Sequence, residues 1–268
     1  MMKTVLITGS TDGIGKKAAT LFLNAGYKVV VHARNMARLE ETLTDLKPFS
    51  QSNNPVGVVA DFTRLEEVRR MIADLHEMCM LPNIIVNNAA VFNARHQLNP
   101  DGFEETFLIN YLAAYYLTRL LLDGAILSET RIVNVSSMAQ AGTIDFNNLM
   151  GEKRFDSYEA YALSKLANVL FTYKLYREYE NTGLVTLCLH PGVINTKLLR
   201  TGWGGGGSAT EVGAERLFYA ATATPVSEVN GQYLVNNRVT RSVAISYDQR
   251  VQDVLWNKSA VLLGLQSK

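Results

Sequence analysis

The fold of this 268-residue chain is decided near its N-terminus, by Thr4-Val5-Leu6-Ile7-Thr8-Gly9-Ser10-Thr11-Asp12-Gly13-Ile14-Gly15. The first five of these residues are apolar or β-branched, as is typical of a buried strand. Three glycines follow, and a helical pattern runs from Ile14 to Ala25. Glycines let the backbone approach a ligand closely, while a helix N-terminus offers free N–H groups to an anion. The stretch therefore predicts a strand, a phosphate-binding loop and a helix.

The same alternation continues along the chain. Seven apolar runs predict strands: Thr4–Thr8, Lys28–His32, Val56–Ala60, Ile84–Asn87, Arg131–Ser136, Val185–His190 and Gln232–Asn236. Longer segments predict helices: Ile14–Ala25, Met36–Leu46, Leu65–Met78, Phe103–Leu122, Tyr158–Glu180 and Glu211–Ala221. Because the strand runs are continuously apolar, helices should cover both faces of the sheet. We predict an α/β fold, a Rossmann-type doubly wound parallel sheet of about seven strands, forming a single domain over residues 1–268.

Composition argues against several classes of protein. Hydrophobic residues make up 47% and charged residues 19% of the chain, as in ordinary globular proteins. The net charge is +1 and basic residues form no run, so we expect no nucleic-acid partner. Cys79 and Cys188 form no close pair, which argues against a thiolate metal site and favours a reducing, cytoplasmic setting. We also expect no membrane attachment, because no apolar run is long enough for a span.

Tyr161 and Lys165 are the first candidates for chemistry. They stand four residues apart in a predicted helix, so their side chains project from nearly the same face. A phenol has a pKa of roughly 10, and a neighbouring ammonium favours its ionised form. We therefore expect Lys165 to lower the pKa of Tyr161, which would let the tyrosine exchange a proton with a substrate oxygen. An isolated pair of this kind can also be two solvated side chains, so its meaning depends on the surrounding sequence.

Together with that pair, the spacing Gly-x-x-x-Gly-x-Gly resembles the short-chain dehydrogenase/reductase family over nearly the whole chain. Further motifs carry the resemblance: Asn87-Asn88-Ala89-Ala90, Asn134-Val135-Ser136-Ser137 and Pro191-Gly192-Val193-Ile194-Asn195-Thr196. Ala90 departs from the pattern, which has glycine there. The insert Thr143–Asp156 and the segments Asp145–Asn168 and Leu255–Ser259 are most similar to the retinol dehydrogenase-like branch.

The resemblance implies a catalytic set of Asn110, Ser137, Tyr161 and Lys165. Tyr161 would exchange the proton, Ser137 would hydrogen-bond the substrate oxygen, and Lys165 would also hold the nicotinamide ribose. Asn110 would anchor a water that links Lys165 to solvent. Three neighbouring residues are weaker candidates. Ser136 should face the other side of the strand from Ser137, and Tyr158 has no lysine one helical turn later. His190 is of a type that is more often structural than catalytic at such a position.

The resemblance also implies a nicotinamide cofactor along the strand ends. Its expected contacts are Gly9, Ser10, Thr11, Asp12, Gly13, Ile14, Gly15, Arg34, Asp61, Asn88, Ala89, Tyr161, Lys165, Pro191, Gly192, Val193, Ile194 and Thr196. The second strand ends near Arg34 rather than in an acid, which favours NADP(H) over NAD(H). Arg34 can also be a solvated residue, and Asp12 would repel a 2′-phosphate. Asp61 can equally be a cap for the helix from Thr63 onward.

We therefore expect an NADP-dependent oxidoreductase that transfers a hydride between NADP(H) and a carbonyl or a primary or secondary alcohol of a small, lipophilic substrate. The glycine-rich Gly202–Ser208 predicts a mobile substrate lid near residues 195–211, with apolar Leu198, Leu199 and Trp203. The alternatives are a non-catalytic nucleotide-binding regulatory module of the same fold and a different Rossmann enzyme. The resemblance further implies a homodimer or homotetramer through Phe103–Leu122 and Tyr158–Glu180. No metal is expected.

Overall fold

A computed structural model of the chain describes residues 2–50, 53–123, 125 and 127–266. All seven predicted strands are present, as β1 (Thr4–Ile7), β2 (Lys28–Ala33), β3 (Val56–Val59), β4 (Ile84–Asn87), β5 (Arg131–Val135), β6 (Val185–His190) and β7 (Tyr233–Val235). They pair in parallel in the order β3-β2-β1-β4-β5-β6-β7, and β8 (Arg238–Val239) adds an antiparallel edge. The strand order reverses between β1 and β4, where sheets of this kind form a ligand crevice.

Helices cover both faces of the sheet, as the apolar strands require. They are α1 (Gly13–Asn24), α2 (Met36–Leu46), α3 (Leu65–Glu77), α4 (Glu105–Phe107), α5 (Ala113–Leu122), α6 (Ser157–Glu178), α7 (Lys197–Trp203), α8 (Thr210–Thr222) and α9 (Gln249–Leu262). Alternate residues of β1 enter two separate cores, Leu6 on the α3, α5 and α6 side and Val5 and Ile7 on the α1 and α8 side. The predicted doubly wound α/β fold is confirmed.

Helix α9 was not predicted from the sequence, and it covers α5 and α6. The ring of its Trp256 is buried, 5.1 Å from the Tyr115 ring, with the Arg119 guanidinium 4.5 Å above it. The hydroxyls of Tyr111 and Ser259 are 2.8 Å apart and hydrogen-bonded. Self-association through the two long helices stays a prediction, and α9 occupies part of the surface that it would use.

His32 ties the glycine loop to the neighbouring strands. Its Nδ1 accepts from the Gly9 N–H at 3.0 Å, so its Nε2 donates to the Ala60 carbonyl at 2.9 Å. The Ser10 hydroxyl adds two more hydrogen bonds between the loop and the strands, since it donates to the Ile7 carbonyl and accepts from the His32 N–H. Burial lowers the pKa of His32 from its ordinary 6.5 to about 4, because the ring has no water to stabilise a charge. The loop therefore keeps its shape only while His32 is neutral.

We expect the free energy of unfolding to decrease as the pH falls from about 6.5 to about 4. In that range the unfolded chain binds a proton on His32 that the folded chain does not. By the low end of the range this difference lowers the free energy of unfolding by about 3 kcal/mol. Burial lowers the pKa of His190 to about 4 as well, so both residues act in the same direction.

Urea unfolding across that pH range measures the effect. His32→Gln cannot titrate and should show a smaller acid loss of stability than the wild-type chain. The exposed His76 provides the matched control, since His76→Gln should retain the full loss. An identical pH dependence in His32→Gln and wild type would contradict the assignment.

Candidate active site

The end of β5 and the first turns of α6 bring together three of the predicted catalytic residues. The Ser137 side chain lies near enough to the Tyr161 hydroxyl to act on its pKa, and the Lys165 ammonium lies 5.4 Å from the centre of the Tyr161 ring. Lys165 Nζ donates to the Val135 carbonyl at 3.0 Å. Tyr161 is only 6% exposed and Lys165 only 2%. The four-residue helical spacing thus places both side chains beside the strand end, in a dry environment.

The expected effect of Lys165 on Tyr161 was wrong for this structure. Burial raises the pKa of Tyr161 to about 12, and the neighbouring Ser137 side chain only partly opposes it. Burial also lowers the pKa of Lys165 to about 7, so near neutral pH the amine carries only part of a charge. Attraction between the two groups favours the charged form of each, but the desolvation of both has the larger effect here. Tyr161 is therefore a protonated donor in this state.

The two adjacent serines face opposite sides of the strand end. Ser136 is buried, and its hydroxyl donates to the Lys165 carbonyl at 2.7 Å. Ser137 is half-buried, and its Oγ accepts from the Ala139 N–H at 3.1 Å. Because that bond uses a lone pair of Oγ, the Ser137 proton remains available for the Tyr161 hydroxyl or a substrate oxygen.

Asn110 lies in a π-helical segment, Leu108–Leu112, that divides the predicted helix Phe103–Leu122 into α4 and α5. Its side chain accepts from the Val91 N–H at 2.7 Å and donates to the Val91 carbonyl and to Ser164 Oγ. Its backbone carbonyl accepts from Asn168 Nδ2 at 2.9 Å. The contacts described for Asn110 thus reach α6 through Ser164 and Asn168, not through Lys165.

The glycine loop is packed closely against the end of β4. A Cβ on Gly15 would lie 2.5 Å from the Gly9 carbonyl oxygen, and a Cβ on Gly9 would lie 2.8 Å from Ala89 Cα. Asn88 Nδ2 donates to the Thr8 and Gly9 carbonyls at 2.9 and 3.1 Å. Asn88 and Ala89, predicted to touch the cofactor, therefore also fix the conformation of the loop.

Ser10 requires a correction. It is completely buried, and its hydroxyl and backbone N–H are all bonded within the protein. Ser10 therefore shapes the loop from behind and has no surface on which a ligand could rest. The local sequence could not show this, because the burial of Ser10 depends on its contacts with His32 of the neighbouring strand.

The front of the loop suits an anion. The N–H groups of the first turn of α1, such as that of Ile14, have no acceptor within the helix. Asp12 accepts from the Gly13 N–H at 2.8 Å and pairs with Lys197 at 2.6 Å. The hydrogen bond from Lys197 holds the pKa of Asp12 below its usual range. The negative charge expected to repel a phosphate is thus offset by a cation that the sequence argument missed.

Two arginines lie at the end of β2 and the start of α2. Arg34 is exposed, and no ion pair is described for it in the characterised part of the chain. Arg38 is close enough to Asp12 to lower the pKa of that carboxyl further. Asp61, after β3, accepts from the N–H and hydroxyl of Thr63 at 3.0 and 2.8 Å with one oxygen. It is not a helix cap, because α3 begins at Leu65 after Arg64 and has no side-chain cap bond.

The loop after β6 approaches the glycine loop. A Cβ on Gly13 would lie 3.4 Å from Thr196 Cγ2, and the Thr196 hydroxyl accepts from the Leu199 N–H to begin α7. The Pro191 carbonyl accepts from Arg216 at 2.9 Å. Among the other predicted contacts, Gly192 has a positive φ of 105°, Val193 is 51% exposed and Ile194 is 3% exposed. The contact between Gly13 and Thr196 therefore brings this loop against the glycine loop.

The predicted lid is partly helical. Lys197–Trp203 forms α7, and the four glycines after it, Gly204–Gly207, all have positive φ. Two backbone bonds of 2.8 Å, from Ser208 to Val193 and from Asn195 to Ser208, join the ends of the segment. The mobility of the lid stays a prediction.

An aromatic cluster covers Tyr161. The Trp203 ring lies 5.4 Å from the Tyr161 ring and 5.1 Å from the Phe92 ring, and Tyr158 approaches the other edge of Trp203 at 6.2 Å. Trp203 was predicted as a lid residue, whereas Phe92 was missed because nothing in its local sequence distinguishes it from other loop residues. The cluster leaves the tyrosine hydroxyl next to apolar surface.

Within the residues that the structure describes, no group of three or more histidine, cysteine or acidic side chains is placed to hold a metal ion. In the same residues, no helix combines the length and the apolar character needed to cross a bilayer.

Comparison with known proteins places this site in a family. The family model described as short chain dehydrogenase matches residues 3–203. Retinol dehydrogenase 13 of Homo sapiens is 34% identical, over 99% of this chain and 86% of its own length. Polyprenol dehydrogenase of Homo sapiens is 29% identical, over 98% of this chain and 86% of its own length. A crystal structure of an uncharacterized protein from Mycobacterium paratuberculosis is similar with a TM-score of 0.81 and 27% identity, over 98% of this chain and 94% of that one.

The match to the family model spans most of the chain, and the aligned relatives cover almost all of it. The chain therefore belongs to the short-chain dehydrogenase/reductase family of oxidoreductases and, within it, to the retinol dehydrogenase-like branch.

Proposed function

We propose that this oxidoreductase uses NADP(H) to interconvert a carbonyl and an alcohol group on a small lipophilic substrate. The observation that carries the proposal is the buried Tyr161, which has the Ser137 side chain near its hydroxyl and the buried Lys165 against its ring. The glycine loop, Arg34 and the loop after β6 would hold the cofactor, which when bound supplies or accepts a hydride. The relatives named as retinol and polyprenol dehydrogenases support a lipophilic substrate.

The side chains provide the proton chemistry. During reduction Tyr161 gives its phenol proton to the carbonyl oxygen, on which negative charge develops, and in oxidation it removes a proton from the alcohol. Ser137 donates a hydrogen bond to the same oxygen and stabilises that charge. The phenolate left behind is stabilised by Lys165 when its amine carries a proton, since opposite charges in a dry site attract strongly. A proton from solvent then restores the phenol for the next turnover.

The aromatic cluster supports an apolar substrate. Trp203 and Phe92 now lie where a substrate would have to approach Tyr161, so α7 must shift to admit one. A lipophilic molecule can replace the contacts that Tyr161 loses when Trp203 moves, whereas a strongly polar one would leave its own groups without partners. The cluster also keeps water away from the proton that Tyr161 transfers.

Tyr161→Phe should reduce kcat by about a thousandfold, because phenylalanine has no proton to transfer. Binding of NADPH, followed by its fluorescence, should be nearly unchanged. Turnover is measured as NADPH oxidation against aliphatic aldehydes, quinones, steroids and retinal. Retained activity in the variant would refute the proposed proton donor. A wild-type chain that binds NADPH and oxidises it with none of these compounds would instead support a non-catalytic nucleotide-binding module.

Ser137→Ala should lower kcat by about a hundredfold, since it removes a donor to the developing oxyanion. Ser136→Ala is the matched control. Its lost hydroxyl bonds a backbone carbonyl of α6, so it should affect stability more than kcat. Steady-state kinetics and thermal unfolding of both variants test the assignment, and the reverse ranking of the kcat values would show that the wrong serine was chosen.

KM for NADPH should be lower than KM for NADH. Arg34→Ala should raise KM for NADPH about tenfold and leave KM for NADH nearly unchanged, because only the former carries the phosphate that a guanidinium binds. Arg250→Ala removes another exposed arginine and is the control. Equal or better use of NADH by the wild-type protein would rule out the preference for NADP(H).

A further inference from the structure

The backbone carbonyl of Ser137 accepts hydrogen bonds from two side chains. The Tyr233 hydroxyl donates to it at 2.9 Å, and Gln140 Nε2 donates to it at 2.7 Å. A carbonyl oxygen has two lone pairs, so both are used. Neither bond involves a charged group, so their main contribution is to fix the position of the Ser137 carbonyl. Two donors from different parts of the fold converge on one atom of the residue that binds the substrate oxygen.

Each donor is itself held in place. Tyr233 is 2% exposed and lies on β7, where it pairs in register with Cys188 of β6. Burial raises the pKa of Tyr233, so its hydroxyl keeps its proton and remains a donor. Gln140 lies in the loop after β5, and its Oε1 accepts from the Val243 N–H at 3.3 Å. That bond orients the carboxamide so that its NH₂ group points at Ser137.

The held carbonyl determines where the Ser137 hydroxyl points. The Ser137 carbonyl shares its peptide plane with the Met138 N–H, and the next peptide plane along the chain carries the Ala139 N–H. The Ala139 N–H donates to Ser137 Oγ at 3.1 Å. With that lone pair used, the Oγ proton is free to point away from the loop and towards the neighbouring Tyr161 hydroxyl, whose pKa the Ser137 side chain lowers. A rotation of the peptide plane would move the Ala139 N–H and release the hydroxyl.

We propose that Tyr233 and Gln140 are positioning residues for Ser137. They fix its carbonyl, and through the Ala139 N–H they aim its hydroxyl at the atom where the proton moves. Their effect on turnover rests on the proposed function, whereas their effect on the loop does not. They act through the backbone of Ser137, so cofactor binding is independent of them.

Tyr233→Phe keeps the buried ring and removes only the donor. We expect kcat to fall about tenfold with KM for NADPH unchanged, because a catalytic group displaced by a fraction of an ångström is less effective. Tyr219→Phe, which alters a partly exposed tyrosine on α8, is the control and should leave kcat unchanged. Wild-type kcat in Tyr233→Phe would overturn the role of Tyr233.

Gln140→Glu gives a readout that a purely structural role would not produce. At neutral pH its carboxylate oxygen would face the Ser137 carbonyl oxygen, where the wild-type chain has a donor. When the carboxyl is protonated it can donate again, so kcat relative to wild type should rise as the pH is lowered. A ratio of variant to wild-type kcat that does not change with pH would overturn the role of Gln140.

Hydrogen exchange of residues 136–141 tests the loop without any turnover. In Tyr233→Phe the Ala139 amide should exchange about tenfold faster, while the amides of β4 keep their wild-type rates. Unchanged exchange at Ala139, or faster exchange across the whole chain, would overturn the proposal. If wild-type protein reduces no carbonyl compound, the proposed function fails, and the exchange rates still decide whether the two side chains position Ser137.

Discussion

Removal of water from the ends of Tyr161 and Lys165 is the constraint on which the rest of the site depends. Burial moves the pKa of the phenol up to about 12 and that of the amine down to about 7. The two groups therefore stabilise each other only when a proton leaves the phenol, and a dry site makes that stabilisation large. Such a pair must be held rigidly, since a small increase in separation or an added water would weaken it.

The rigidity comes from polar side chains behind α6, where an apolar helix face would be expected. Ser136, Ser164 and Asn168 are buried on that side and bond backbone carbonyls: Ser136 that of Lys165, Ser164 that of Tyr161, and Asn168 those of Asn110 and Ser164. The Ser136 bond fixes α6 against the end of β5, and the bond from Asn168 to Asn110 fixes it against the facing segment, whereas the other two lie within α6. Because hydrogen bonds are directional, the two bonds between elements restrain α6 more closely than apolar contacts would. The segment that faces α6 is irregular as well, since Leu108–Leu112 around Asn110 is π-helical.

The strands were predictable because each is covered on both faces and so reads as an apolar run, as Val29–Val31 shows. The glycine loop and the Tyr161–Lys165 pair were predictable because their geometry follows from local spacing. Other features depend on contacts between distant residues. Tyr233 meets the Ser137 carbonyl across 96 residues, and no local pattern encodes that contact. The pKa of Tyr161 was misjudged for the same reason, since burial is a property of the folded chain.

The ion pair between Asp12 and Lys197 joins the glycine loop to the first residue of the lid helix. Two sites that share a contact are thermodynamically linked: if a ligand at one changes the equilibrium of the other, the reverse effect has the same magnitude. Any arrangement of α7 that breaks this pair returns an uncompensated carboxylate to the phosphate loop and weakens its hold on an anion. Because both side chains are more than half exposed, dissolved salt sets the strength of this coupling. A low ionic strength therefore strengthens the coupling between the glycine loop and α7, and a high ionic strength lets the two act independently.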